Sequence, residues 1–232
     1  VSGKVPPAFS TPLTNTVASV QVSSGTVEWV EYPAAAPLAA VVPEGDLKPE
    51  AVLTASTMSK VLETIAHHVV VTRQALEDSS QLRDWINGNL VRGVGDKIES
   101  RIAEELLAAA NLVEVFGASL MEAIRVAYAQ VQPAGDQPNP LLLTPADYAA
   151  RDLDEIGVTG LPVSRNAFWG LTPVAAGAIP AGSAYVGDFT AGMTLFYRSG
   201  TDVFISDSHS DFFLRNQFVV LAERRALPAV TT

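Results

Sequence analysis

No cysteine occurs in this chain, which excludes disulfides and thiolate metal sites and leaves its redox compartment open. Histidine is almost as scarce: three residues in 232 leave little from which to build a transition-metal centre. Long apolar runs are also missing. The most apolar stretch, Ala34 to Val42, contains Pro37 and is far shorter than the roughly 20 residues of a bilayer-spanning helix, so no membrane segment is expected. Positive charge is in deficit, with 15 Lys and Arg against 25 Asp and Glu and a formal charge of −10. Tight binding to nucleic acid through phosphate neutralisation needs clustered cations, and the net charge argues against that class of function.

What the chain has in plenty is apolar surface. Its hydrophobic content is 48% with a mean hydropathy of +0.22, rich for a lone globule, so part of this area is expected between subunits. An oligomer is expected. The length allows one sizeable core or two small ones. Val1 stands where an initiator Met would be, which is compatible with removal of a propeptide, a tag or part of a longer precursor and leaves a lost targeting signal open.

Residues 1–25 are rich in Pro, Ser, Thr and Val and lack helical periodicity, so they read as an arm that buries no face of its own and straps across a neighbouring subunit. Val27 to Tyr32 alternates with period two, a strand that Pro33 stops. Pro33, Pro37, Pro43 and Pro49 then exclude a helix or a central strand. A second β-capable run begins near Val52, and the pair makes an outstretched hairpin, which in isolation is marginal in water. Val61 to Val71 is β-rich. From Ser79 or Ser80, Leu82, Trp85, Ile86, Leu90, Val94, Ile98, Ile102 and Leu106 recur every three or four residues, predicting one long helix. Gly88, Gly93 and Gly95 each cost it about 1 kcal/mol relative to Ala, which fits either an easily bent first half or close packing of a neighbour. Leu112 to Val131 predicts a second helix. Leu141 to Leu143 predicts a buried strand, followed by Thr144 as N-cap, Pro145 at the first helical position and Asp147 in the first turn. Val203 to Val230 predicts two strands around an Asp- and Ser-rich turn.

Ordinary catalytic chemistry is thin. Asp207, Ser208, His209, Ser210 and Asp211 supply the residue types of a hydrolase triad, but they are contiguous and no Gly-x-Ser-x-Gly elbow occurs; they read as a turn. His67 and His68 are adjacent on a strand and project to opposite faces, so they cannot chelate one metal. Gly93 to Lys97 lacks the spacing of a phosphate loop. Asp152, Asp154 and Glu155 lack calcium-loop spacing. Glu99, Arg101, Glu104 and Glu105 read as the solvated side of the long helix, paired there or across a subunit boundary. No cofactor or metal is expected.

One order of segments is more specific. Asp46, Lys48, Pro49 and Glu50 lead into the β-rich run, which ends in the Thr-Arg-Gln-x-Leu-x-Asp-Ser entry to the long helix. Near the C-terminus, Asp211, Phe213, Arg215 and Asn216 run into Glu223 and Arg225. Weaker support comes from Leu141 to Leu153, Gly170 to Val174 and Ala184 to Phe189. Together these resemble, over almost the whole chain, the major capsid proteins of tailed phages with the Hong Kong 97-type fold.

That resemblance implies an α+β fold with an N-terminal arm (1–25), an extended hairpin loop (26–60), a peripheral domain with a spine helix (61–110), an axial domain (111–194) and return strands of the peripheral domain (195–232). It implies a virion structural protein rather than an enzyme, self-assembling as pentamers and hexamers into an icosahedral shell around double-stranded DNA. Assembly would take place in the host bacterial cytoplasm. Portal, scaffold, maturation protease and cement proteins are further implied partners. The DNA would be enclosed without sequence-specific binding, and the acidic surplus either leaves it free to exit or serves solubility alone. A related alternative is an encapsulin-type nanocompartment shell around a cargo enzyme, and a remote one is a soluble hydrolase using His209.

Some members of the family weld subunits by a Lys to Asn isopeptide bond, and Lys48, Asn216 and Glu223 stand at the matching places. The chemistry needs a base for the lysine amine, and a carboxylate approached through apolar sequence suits it. Val219 to Ala222 supply that approach to Glu223. Seven residues of strand separate Asn216 from Glu223 by roughly 20 Å at about 3.3 Å per residue, so a working set has to come from different subunits. The plainer alternative gives Lys48 a solvated or salt-bridged role, with Asn216 and Glu223 bonded to backbone or to Arg225.

Overall fold

The structure, a computed structural model, describes residues 12–31, 39–50, 55–78, 80–109, 112–131, 139–159, 168–209 and 211–231. Its elements in chain order are β1 (Ala18–Gln21), β2 (Thr26–Glu31), β3 (Ser56–Val61), β4 (Glu63–Thr72), α1 (Arg73–Asp78), α2 (Ser80–Leu107), α3 (Leu120–Val131), β5 (Leu141–Leu143), α4 (Pro145–Thr159), β6 (Pro173–Ala175), β7 (Ala184–Val186), α5 (Phe189–Gly192), β8 (Met193–Tyr197), β9 (Asp202–Ser206) and β10 (Gln217–Val230).

The 14-residue β10 is the axis of a five-stranded sheet. Along one edge it pairs antiparallel with β4, from Gln217 opposite Thr72 to Ala226 opposite Glu63. Along the other it pairs first with β9 and then with β8, so those two short strands lie end to end. Period-two alternation sends Val220, Ala222 and Ala226 to one face, where α2 covers them with Val94, Ile98, Ile102 and Leu106. Full burial of such side chains stabilises by about 1.5–3 kcal/mol each, which is why this helix holds despite its glycines.

The predicted stripe of α2 is largely the buried one, but Trp85 is 65% exposed. Ile86 and Leu90 occupy the core face, and a residue one position earlier lies about 100° around the helix from Ile86. The glycines divide. A side chain at Gly88 would meet open space, whereas a Cβ at Gly93 would overlap the imidazole of His67 from β4. Close packing thus explains Gly93. His67 also makes a 2.6 Å hydrogen bond to the Leu90 carbonyl.

A second sheet, ordered β6-β5-β7, forms a separate layer. Leu142 faces the main core while Leu141 and Leu143 join Ile124, Phe168 and Leu171 in a second cluster. The predicted cap of α4 holds: the Thr144 hydroxyl accepts from Asp147 N–H at 3.0 Å and donates to the Asp147 carboxylate at 2.7 Å. The second predicted helix starts later than Leu112. Residues 112–119 are not helical, because the cap is at Ser119, whose hydroxyl accepts from Glu122 N–H while the Glu122 carboxylate accepts from Ala118 N–H.

Two expectations need larger correction. The arm was read as burying nothing of its own, yet Leu13 and Val17 lie in the main core and β1 adds in parallel to β8. Single apolar residues in a non-periodic segment fill gaps that periodicity does not reveal. The strap reading of residues 1–11 falls outside the described residues. Glu99 was placed on the solvated side of the helix and is buried at 6% exposure, one position along from the core residue Ile98.

Candidate functional site

β2 and β3 pair antiparallel from Thr26 opposite Val61 to Glu31 opposite Ser56, as an outstretched hairpin requires. Its base is apolar: Val27 and Leu62 pack with Phe196, Leu227 and Ala229, and Trp29 stacks on Phe196 at 6.0 Å. The base is also tied to α2 by charge. Arg101 donates to both oxygens of Glu63 at 2.8 and 2.7 Å and to Glu104 at 2.7 Å, and Lys60 meets Glu105 at 2.6 Å. The Arg101 hydrogen bond holds the Glu63 carboxyl below its usual range, and Glu63 in turn raises the Arg101 guanidinium. These pairs lie within one chain rather than across a boundary.

Lys48 sits in the exposed segment between Pro43 and Pro49, just after a turn in which Asp46 N–H donates to the Pro43 carbonyl and Gly45 has φ +93°. Asn216 ends the turn before β10 at φ 52°, a left-handed conformation that asparagine tolerates better than most residues. Its carbonyl accepts from Arg73 N–H at 2.7 Å, joining the turn to α1, and its side chain is exposed. Glu223 is in mid-strand, opposite Ala66 of β4 and Asp202 of β9. By alternation it lies on the face of β10 turned away from α2. Among the described residues no hydrogen bond or ion pair joins any two of Lys48, Asn216 and Glu223, so one chain does not assemble the three.

The face carrying Glu223 has a distinctive make-up. Beside it along β10 are Val219 and Leu221, opposite Val70 and His68 in β4 and Ser206 and Phe204 in β9. Val70 is 42% and Phe204 52% exposed, apolar positions on this sheet face that no other described residue covers. Two carboxylates, Glu223 and Asp202, stand directly opposite each other on it, an arrangement that is unfavourable without a nearby cation. Sequence reasoning named Glu223 but missed Asp202 and this apolar surround, because register across strands is invisible before the sheet is known.

The remaining candidates reduce to structure. His67 bonds to α2 whereas His68 is on the opposite face, as adjacent strand residues must be. His209 packs edge-on against Phe212 at 5.2 Å within the turn. No group of three metal-ligating side chains occurs among the described residues, nor does any helix among them have the length and apolarity to cross a membrane.

An uncovered apolar sheet face and an outstretched hairpin are what a shell subunit offers its neighbours, and the family comparison agrees. The model of the phage capsid family matches residues 9–230. The chain belongs to the phage capsid family. This is a family of virion structural proteins, not of enzymes. The chain is 28% identical over 228 residues to the major capsid protein of Enterobacteria phage HK97, covering 90% of this chain and 59% of that protein. It therefore spans rather more than half the length of this curated relative. Among solved structures it resembles one from Microbacterium phage Oxtober96 with a TM-score of 0.71 at 15% identity, covering 100% of this chain and 88% of that one. It also resembles the capsid of a native GTA particle with a TM-score of 0.73 at 13% identity, covering 100% and 90%. The fold is thus the Hong Kong 97-type capsid fold, and these relatives favour a virion shell over a cargo compartment.

Proposed function

We propose that this chain is the major capsid subunit of a tailed double-stranded DNA phage, assembling as pentamers and hexamers into an icosahedral shell in the host cytoplasm. The observation that carries this reading is the uncovered sheet face around Glu223: Val70, Leu221 and Phe204 form an apolar platform beside two opposed carboxylates. The hairpin tip of a second copy suits it in both respects, since Leu47 is exposed beside Lys48. Burial of apolar area and neutralisation of the carboxylates would both favour the contact. Portal, scaffold, maturation protease and cement proteins are the partners such a subunit would meet, and DNA would be enclosed without sequence-specific contact.

The same contact sets up the crosslink. The Lys48 amine of one copy would attack the carboxamide carbon of Asn216 in another, forming an amide C–N bond as the Asn216 nitrogen leaves as ammonia. Glu223, from a suitably placed copy, would take the proton from the lysine nitrogen and hand it to the departing Asn216 nitrogen. Denaturing electrophoresis of assembled particles, boiled with reductant, tests both levels. Lys48→Ala is compared alongside. A ladder of multiples of the 24.5 kDa chain that vanishes in the variant is expected for the welded shell. A single band from intact particles overturns the crosslink and leaves the shell, whereas absence of large particles overturns the shell reading.

A further inference from the structure

Glu99 is a buried carboxylate that the contacts proposed above leave unused, and its three hydrogen-bond donors among the described residues come from the root of the arm. Leu13 N–H donates to Oε2 at 2.8 Å, and Thr14 N–H and the Thr14 hydroxyl donate to Oε1 at 2.8 and 2.6 Å. These amides begin a single helical turn, closed by Thr16 and Val17 N–H donating to the Leu13 carbonyl at 2.9 and 3.1 Å. An isolated turn of this size does not persist in water. Here a side chain from α2, more than 80 residues away in sequence, does the work of an N-cap. Leu13 itself is fully buried in the main core, in one cluster with Ile98 and Ile102 of α2.

We propose that Glu99 is a clasp that makes the seating of residues 12–17 and the position of α2 a single coupled equilibrium. The reasoning is electrostatic and steric together. If the arm root leaves, a buried carboxylate loses all three donors at once. Such a charge is tolerated only if water reaches it, which requires α2 to move away from its cover. The departing Leu13 leaves a void in the core cluster to which Ile98 and Ile102 belong. If α2 moves first, the amides of Leu13 and Thr14 lose their acceptors. Each event removes what holds the other, and coupling of this kind is reciprocal. The device lies within one subunit and does not rest on the crosslink.

Hydrogen exchange on the full chain, read by peptide, tests it with variants from both sides. Glu99→Gln keeps the size but turns one acceptor oxygen into an NH2 group facing a donor. Exchange is expected to rise at least tenfold in 12–17 and at least threefold in the α2 segment around 95–103, with β5 to β7 unchanged. Leu13→Ala, made in the arm alone, is expected to loosen the same α2 segment. Acceleration confined to residues 12–17 in both variants overturns the coupling, and protection unchanged in both segments overturns the clasp. Thr14→Val, which removes only the hydroxyl donor, serves if Glu99→Gln does not fold; a smaller rise in both segments is then expected, and no rise around 95–103 overturns the proposal.

Discussion

The two faces of β10 make the most instructive comparison in the molecule. On one face Val220, Ala222 and Ala226 are buried under α2, and His67 takes the space that a side chain at Gly93 would need. On the other, within the stretch 219–223, Leu221 and Glu223 lie between strands whose Val70 and Phe204 remain open. The first face is complementary to its own chain, so it stabilises the subunit. The second mixes apolar side chains left open at Val70 and Phe204 with the opposed carboxylates of Glu223 and Asp202, a surface that another molecule can complement. The same strand is a packing element and an assembly element, with period-two alternation separating the roles.

Breaking the packed face should have the larger effect on the isolated subunit. Gly93→Ala places a Cβ in the His67 ring, and relief requires that ring to give up its bond to Leu90. We expect a loss of about 1–3 kcal/mol in urea unfolding, although Ala is the better helix former by about 1 kcal/mol. The sharper form uses His67→Ala as background, where the clash is gone and Gly93→Ala should become neutral or stabilising. A loss of the same size in both backgrounds would show that the ring is not what the glycine accommodates. Phe204→Ser probes the open face. Subunit stability should stay within about 0.5 kcal/mol, while the yield of assembled particles, read by sedimentation, drops at least tenfold. Equal losses of stability and assembly would mean that this face is packed within the subunit after all.

Legibility in the sequence follows the same division. The elements of the packed side were readable because burial leaves a pattern: α2 from its stripe, β5 and the cap of α4 from Leu141 to Asp147. The closing strands from Val203 to Val230 were readable from their β-rich composition, although β9 is exposed along its whole length. The hairpin was readable from its prolines. Elements without period were not. Leu13 and Val17 enter the core from a segment with no pattern, and Glu99 looked like one more charge in an acidic helix because its donors are 85 and 86 residues away. Of the candidate site, the resemblance located Lys48, Asn216 and Glu223. The two-carboxylate, apolar setting depends on the register of β10 against β9, which no local feature announces.

The smallest expected effect concerns the ionic tie between the hairpin base and α2, which sits where the two regions meet. Glu63 is pulled below its usual range chiefly by the hydrogen bond from Arg101, with burial opposing. A carboxyl depressed in the folded state binds fewer protons there than when unfolded, so its contribution is fully present above the ordinary value of 4.5 and is lost as pH falls through the depressed value. The pair is partly exposed, with the Glu63 side chain at 41%, and solvent screening limits it to about 0.5–1 kcal/mol. Glu63→Gln should therefore lower stability by that amount at pH 7 and much less at pH 2, so the difference between variant and parent shrinks as acid is added. A difference that stays constant between pH 7 and pH 2 would assign the effect to packing of the Glu63 methylenes. The ionic tie between the hairpin base and α2 would then rest on the Lys60–Glu105 pair.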